Sequence, residues 1–262
     1  MVVVHDAPSS QIPWETIRIG DWSPAADTGL CRRYMADDLS VAKWLEERKY
    51  GKTLDVLLVV NPTADLAGAE AEGDRIKELL SARPWVKIRE LRGPAATRGT
   101  LLEAFKSGDY DVVHYAGHAE FNEGHPELSG IRCYGSQVLS GADLAGLGNL
   151  PALVFFNACE SGRVRGGAKA KRVDIIKRIQ QNVGLAEAFM RGGVANYVGT
   201  YWPVGDASAT TFAATFYPAI LNGQSISRSL LDARRVVREA GSIDWADYIH
   251  YGSPHFILKH PD

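Results

Sequence analysis

The chain has 262 residues, 45% hydrophobic and 23% charged, so it is long enough to bury a sizeable core and its composition is that of an ordinary soluble globular protein. Its 29 basic and 31 acidic side chains leave a formal net charge of -2, which offers no overall attraction for nucleic acid; a polyanion site would have to be local. Three cysteines, Cys31, Cys133 and Cys159, do not describe a disulfide framework, Met1 to Ser10 lacks the basic head and apolar run of a signal peptide, and no stretch approaches the roughly 20 apolar residues of a membrane helix. The expectation is a cytoplasmic protein in a reducing compartment.

Val2-Val3-Val4 reads as a strand entering a turn at Asp6 to Ser9, and Ile12-Pro13-Trp14 as renewed extended chain. So abrupt a start fits either the edge of a longer protein or a short natural chain. Leu54 to Val60 is a nearly continuous aliphatic run closed by Asn61-Pro62, the pattern of a strand buried on both faces. Ala69 to Ala82 carries Ile76, Leu79 and Leu80 at helical spacing, Val86 to Leu91 is the next strand, and Thr97 or Thr100 can cap a helix through Lys106. Asp111 to Tyr115 is a third strand. Beyond a polar loop, Ile131 to Leu139 suggests a small hairpin, Ala142 to Leu147 a short helix, and Ala152 to Phe156 the most apolar strand of the chain.

The C-terminal part reads as helix over Gly184 to Gly192, strand over Val194 to Val198, and helices over Ala207 to Leu221 and Ile226 to Ala240. In the last of these Ile226, Leu230, Ala233 and Val237 form one stripe behind the N-cap Ser225. Such alternation calls for a mostly parallel sheet covered by helices on both faces. One stretch stands apart. Between Arg163 and Arg178 lie seven basic residues and a single acid, Asp174, with Gly166-Gly167 inside, which is the composition of a solvated loop or frayed basic helix.

Reactive groups in parallel sheets collect at the carboxyl ends of strands, and two strands here end on such groups. One runs Val112-Val113-His114-Tyr115-Ala116-Gly117-His118; the other runs Leu153 to Phe156 and on through Asn157-Ala158-Cys159-Glu160-Ser161-Gly162. If the two strands are near one another, a thiol and an imidazole face each other, the minimum for thiol nucleophilic catalysis, since the thiolate attacks and an imidazole raises its population. His114 sits among strand residues and is expected to face a helix or the core. His118 follows the small pair Ala116-Gly117, and Cys159 lies just past its strand. Cys31 and Cys133 have no comparable setting, and a lone Cys is more often a small buried hydrophobe than a nucleophile.

These two motifs resemble the histidine and cysteine motifs of the CHAT family, which groups with caspases, metacaspases and separases. Ile12-Pro13-Trp14-Glu15, Asn61-Pro62-Thr63, Glu127-Leu128-Ser129-Gly130, Trp202-Pro203-Val204-Gly205-Asp206 and Phe216-Tyr217 are similar to further family segments, from about Ile12 to Arg238. The resemblance implies a three-layer α/β/α caspase-like sandwich with a central, mostly parallel sheet, formed by residues 1–262 as one peptidase domain. It implies a cysteine endopeptidase acting through an acyl-enzyme, with Cys159 as nucleophile, His118 as base, and the backbone N–H groups of Cys159 and Ala119 as oxyanion donors. Relatives often carry Gly where Ala119 stands; Ala keeps the amide but not Gly's backbone freedom.

The resemblance also implies that Asp206, otherwise read as the N-cap of the helix from Ala207, forms an acidic wall for a basic P1 residue, and that Trp202 either floors that pocket or fills a gap beside it. The basic segment at about 163–183 would be an inter-subunit loop sensitive to cleavage. Protein substrates are the expected partners, with helical-repeat or sensor domains upstream and a role in bacterial defence or regulated cell death. No cofactor, metal, nucleic acid or membrane is expected: neither C-x-x-C nor H-E-x-x-H spacing occurs, and neither GxGxxG nor a P-loop. The rival reading is a catalytically silent caspase-like interaction module.

Overall fold

The computed structural model of the chain describes residues 1–10, 12–34, 51–120, 122, 125, 128–144, 147, 150–157, 186, 189–190, 194–200 and 204–258. The elements, in chain order, are β1 (Val2–His5), α1 (Ala7–Ser10), α2 (Pro24–Asp27), β2 (Cys31–Tyr34), β3 (Leu54–Val60), α3 (Ala67–Ser81), β4 (Val86–Arg92), α4 (Arg98–Ser107) and β5 (Val112–Ala116). There follow β6 (Ala119–Glu120), β7 (Gly130–Arg132), β8 (Val138–Ser140), α5 (Gly141–Leu144), β9 (Leu153–Asn157), β10 (Asn196–Thr200), α6 (Asp206–Leu221), α7 (Ile226–Glu239) and β11 (Tyr248–Tyr251).

Eight of these strands form one sheet in the order β1-β2-β11-β10-β9-β5-β3-β4, and β6-β7-β8 form a small second sheet. Every pairing in the large sheet is parallel except β10 with β11. Helices cover both faces, and the apolar strands show why. Along β3 and β5, Leu57, Val59, Val113 and Tyr115 pack on one side with Leu101 and Phe105 of α4; Val56, Leu58, Val60 and Val112 pack on the other with Ile76 and Leu80 of α3. Phe212 and Phe216 of α6, with Leu230 and Val237 of α7, extend the second layer. A strand buried on both sides has no polar face to show, hence the continuous aliphatic runs.

Helix ends follow their capping residues. Thr97 accepts the N–H of Thr100 at the start of α4, Gly108 closes it in the left-handed conformation, and Ser225 accepts the N–H of Arg228 at the start of α7. The segment Ile12 to Trp14 departs from the extended reading. Trp14 to Thr16 is a 3₁₀ turn, and it turns because Glu15 must reach Arg32 in the middle of β2. That pair is fully buried: the Arg32 guanidinium takes both Glu15 oxygens and the carbonyls of Ser10 and Ile12. Removing either partner would leave an uncompensated interior charge, at a cost of about 3–5 kcal/mol.

Candidate active site

β5 and β9 are adjacent and parallel, with Ala116 opposite Asn157 and, on the other side of β5, opposite Val60 of β3. The chain leaves β3 through Asn61, whose positive φ of 43° starts a tight turn. Its side-chain oxygen then accepts the N–H groups of Asp65 and Leu66, at 3.2 and 3.1 Å, while its amide donates to Glu70 at 2.8 Å. The folded Asn61 to Leu66 segment thereby brings a carboxylate to the end of β5: His118 Nε2 lies 3.1 and 3.2 Å from the two oxygens of Asp65.

Asp65 also accepts the Thr63 hydroxyl. That bond first, and then His118, hold its carboxyl below the usual aspartate range against the opposing effect of burial. The Asp65 side chain is 59% exposed and that of His118 15%, so solvent screens the pair and its contribution to folding is about 1 kcal/mol or less. Orientation is the larger effect. An ionised carboxylate can only accept, so the contact makes Nε2 the donor to Asp65 and turns the Nδ1 edge of the ring away from it.

The main chain at His118 is held as firmly. The buried Tyr115 hydroxyl donates to the His118 carbonyl at 2.5 Å and lies 3.0 Å from the Arg132 carbonyl; Arg132 N–H donates to the same His118 carbonyl at 2.9 Å. Since 118 and 132 are a hydrogen-bonded position between β6 and β7, Ala119, opposite Ile131, occupies the alternate position and its N–H points away from β7. Gly117 is required between them: a Cβ there would sit 2.6 Å from the Tyr115 hydroxyl oxygen and 3.1 Å from Pro62.

His114 faces the opposite side of the sheet. It is fully buried, stacked on Phe155, with Nδ1 2.6 Å from the Tyr217 hydroxyl and Nε2 3.2 Å from Glu72, which also accepts the Asn157 amide at 2.9 Å. This closed network ties α3, β5, β9 and α6 together beneath the strand ends. Cys31 and Cys133 are buried, and burial pushes both thiols up, Cys133 to about 11, so neither supplies thiolate near neutral pH.

Cys159, Trp202 and the basic stretch of 163–183 lie outside the described residues, as does the side chain of Asp206. The backbone of Asp206 is the first helical residue of α6, with Gly205 in the cap position and its N–H bonded to Asp244, so Asp206 is not the N-cap that its place before Ala207 suggested. Among the described residues no group of His, Cys, Asp and Glu side chains could hold a metal ion, and no helix is long and apolar enough to cross a membrane. Asp65 was not singled out by sequence, and Thr63 and Tyr115 were quoted only within Asn61-Pro62-Thr63 and the histidine motif, with no role of their own.

The CHAT domain pattern matches residues 1–253. The chain belongs to the CHAT domain family. Tetratricopeptide repeat protein 28 of Mus musculus is 24% identical over 229 residues, 72% of this chain but 9% of that protein, so the chain spans under a tenth of the curated relative it matches. Separase in the Saccharomyces cerevisiae separase–securin complex superposes with a TM-score of 0.57 at 18% identity, covering 99% of this chain and 16% of separase. The Arg-specific cysteine proteinase gingipain R, RgpB of Porphyromonas gingivalis, gives 0.55 at 15% identity, covering 88% of this chain and 55% of its own. The CHAT chain thus has the caspase-like cysteine peptidase fold expected from its motifs: a mostly parallel sheet between helical layers.

Proposed function

We propose that the chain is an active cysteine endopeptidase with Cys159 as nucleophile and His118 as general base and acid. The observation that supports this most is the register of β5 and β9: Ala116 lies opposite Asn157 on neighbouring parallel strands, and in the sequence His118 and Cys159 each come two residues after that pair. In this reading Nδ1 of His118 takes the thiol proton, because Asp65 occupies Nε2. Cys159 Sγ then bonds to the scissile carbonyl carbon and the oxyanion is met by the amides of Cys159 and Ala119. The C–N bond breaks as His118 passes its proton to the leaving amine, and water hydrolyses the thioester.

For specificity we propose a basic P1 residue, preferably Arg, paired with Asp206 beside Trp202. The helix start at Asp206 supports a carboxylate there, since α6 begins on the same edge as the ends of β9 and β10, and an Arg-specific fold neighbour makes Arg the first choice to test. Cleavage within 163–183, or contact with helical-repeat or sensor domains upstream, is the proposed activation step; the tetratricopeptide repeats in the name of the curated relative support such a partner. The proposed setting is bacterial defence or regulated cell death, in the cytoplasm. A P1-varied fluorogenic peptide series, run on the wild type, Cys159→Ala, His118→Ala and Asp206→Ala, tests the scheme. Cleavage by Cys159→Ala near the wild-type rate sinks the nucleophile assignment, and an apolar P1 preference untouched by Asp206→Ala sinks the pocket.

A further inference from the structure

We propose that Tyr115 is a positioning residue that aims the Ala119 amide at the oxyanion. The inference rests on the peptidase reading above and adds to it a residue that does not touch the substrate.

The starting point is one planar unit. A trans peptide points its C=O and its N–H in opposite directions, so whatever holds the His118 carbonyl also sets the direction of the Ala119 N–H. That carbonyl is held twice, by the Tyr115 hydroxyl at 2.5 Å and by the Arg132 N–H at 2.9 Å, from a rigid strand on each side. The Ala119 N–H is therefore directed away from β7, the strand that supplies one of those two donors. Two donors on the carbonyl also draw electron density from the amide nitrogen, which makes its N–H a stronger donor through the polarisation that hydrogen-bond chains share.

The tyrosine is built for this use. Its ring is buried and packs against Phe156, and burial lifts its hydroxyl well above the usual range, so it stays a protonated donor. A phenol has one proton to give. Of the two carbonyls it reaches, His118 is at 2.5 Å and Arg132 at 3.0 Å, and the shorter contact is the one at the peptide in question. Gly117 leaves the hydroxyl its space, since a Cβ there would come within 2.6 Å of the oxygen. A ring serving only to fill the core would have no need of the hydroxyl, which here reaches two main-chain carbonyls.

The test is Tyr115→Phe in the full chain, which keeps the ring and removes the hydroxyl. For the peptide amide that the wild type cleaves fastest in a P1-varied series, kcat should fall about tenfold with KM within about twofold, because the lost interaction acts only on the developing oxyanion. Affinity for the matching peptide aldehyde, which forms a tetrahedral adduct, should fall in parallel. Alkylation of Cys159 by iodoacetamide, which develops no oxyanion, should proceed at the wild-type rate. Unchanged kcat, or an alkylation rate falling along with kcat, overturns the proposal. An independent arm needs no turnover: in ¹⁵N-alanine-labelled protein the Ala119 amide nitrogen should shift upfield in Tyr115→Phe, and a static resonance also overturns it. Wild-type protein that neither cleaves peptides nor is alkylated at Cys159 defeats the peptidase reading instead, and the amide resonance still decides whether Tyr115 sets the His118–Ala119 peptide.

Discussion

Asn157 is the last described residue of β9 before Cys159, and replacing it should reveal how the strand end is fastened. Asn157→Leu keeps the size of the side chain and removes the amide that donates to Glu72 at 2.9 Å. Glu72 would retain His114 Nε2, at 3.2 Å, as its remaining partner within the network. A hydrogen bond to a charged group contributes about 1.5–3 kcal/mol, and Asn157 is buried, so water cannot replace the donor; the variant should lose about 2 kcal/mol. For a chain of this length that corresponds to roughly 4–8 °C in Tm. Urea unfolding of the wild type, Asn157→Leu, Glu72→Leu and the double variant gives the pair's coupling, expected at about 1–2 kcal/mol because the second substitution removes a carboxylate that the first has already stranded. Losses that add to within about 0.5 kcal/mol would show that Glu72 and Asn157 act independently and refute the network argument.

Three further predictions follow from the same geometry. Asp65→Ala should lower kcat about tenfold by freeing the ring of His118, a part of the 10²- to 10⁴-fold that a positioned base supplies; steady-state kinetics at pH 7.5 checks it, and unchanged kcat removes Asp65 from the mechanism. The folded-state carboxyl of Asp65 titrates below its unfolded range, so its bond to His118 is present above that range and is lost only as pH falls through the depressed value; ¹³C titration should show this, and Thr63→Val should raise the midpoint. Burial and then the Arg234 charge push His250 down to about 3, against 6.5 when unfolded, so the neutral ring favours folding above pH 6.5 and that contribution is lost progressively as pH falls from 6.5 toward 3. It amounts to about 2 kcal/mol by pH 5, readable as a drop in Tm that His250→Phe should reduce.

The local chemistry of this chain determined its elements. Residues 54–60 are aliphatic at every position but one, the pattern of a short strand covered on both faces, and Ser225 announces its helix, as one of Thr97 and Thr100 does, because a hydroxyl there satisfies a first-turn N–H. The two strands that end at Ala116 and Asn157 were legible for the same reason, as was the inward direction of His114. β2 and β11 were not. Arg32 and Arg33 in one and His250 in the other lack the apolar pattern of a buried strand, and they become strand only because Glu15, backbone carbonyls and neighbouring strands pair with groups that would otherwise cost too much to bury.

What the tertiary structure alone decided is adjacency. Asp65 is 53 residues from His118, Tyr217 is 103 from His114, and no periodicity in either segment records the other. Sheet order sets those meetings: placing β3 and β9 on either side of β5 brings the Asn61 turn and the Asn157 end to the same edge as His118. That order follows from how the helices of both layers share the apolar surface of the whole sheet, a free energy summed over many residues rather than read from any one of them.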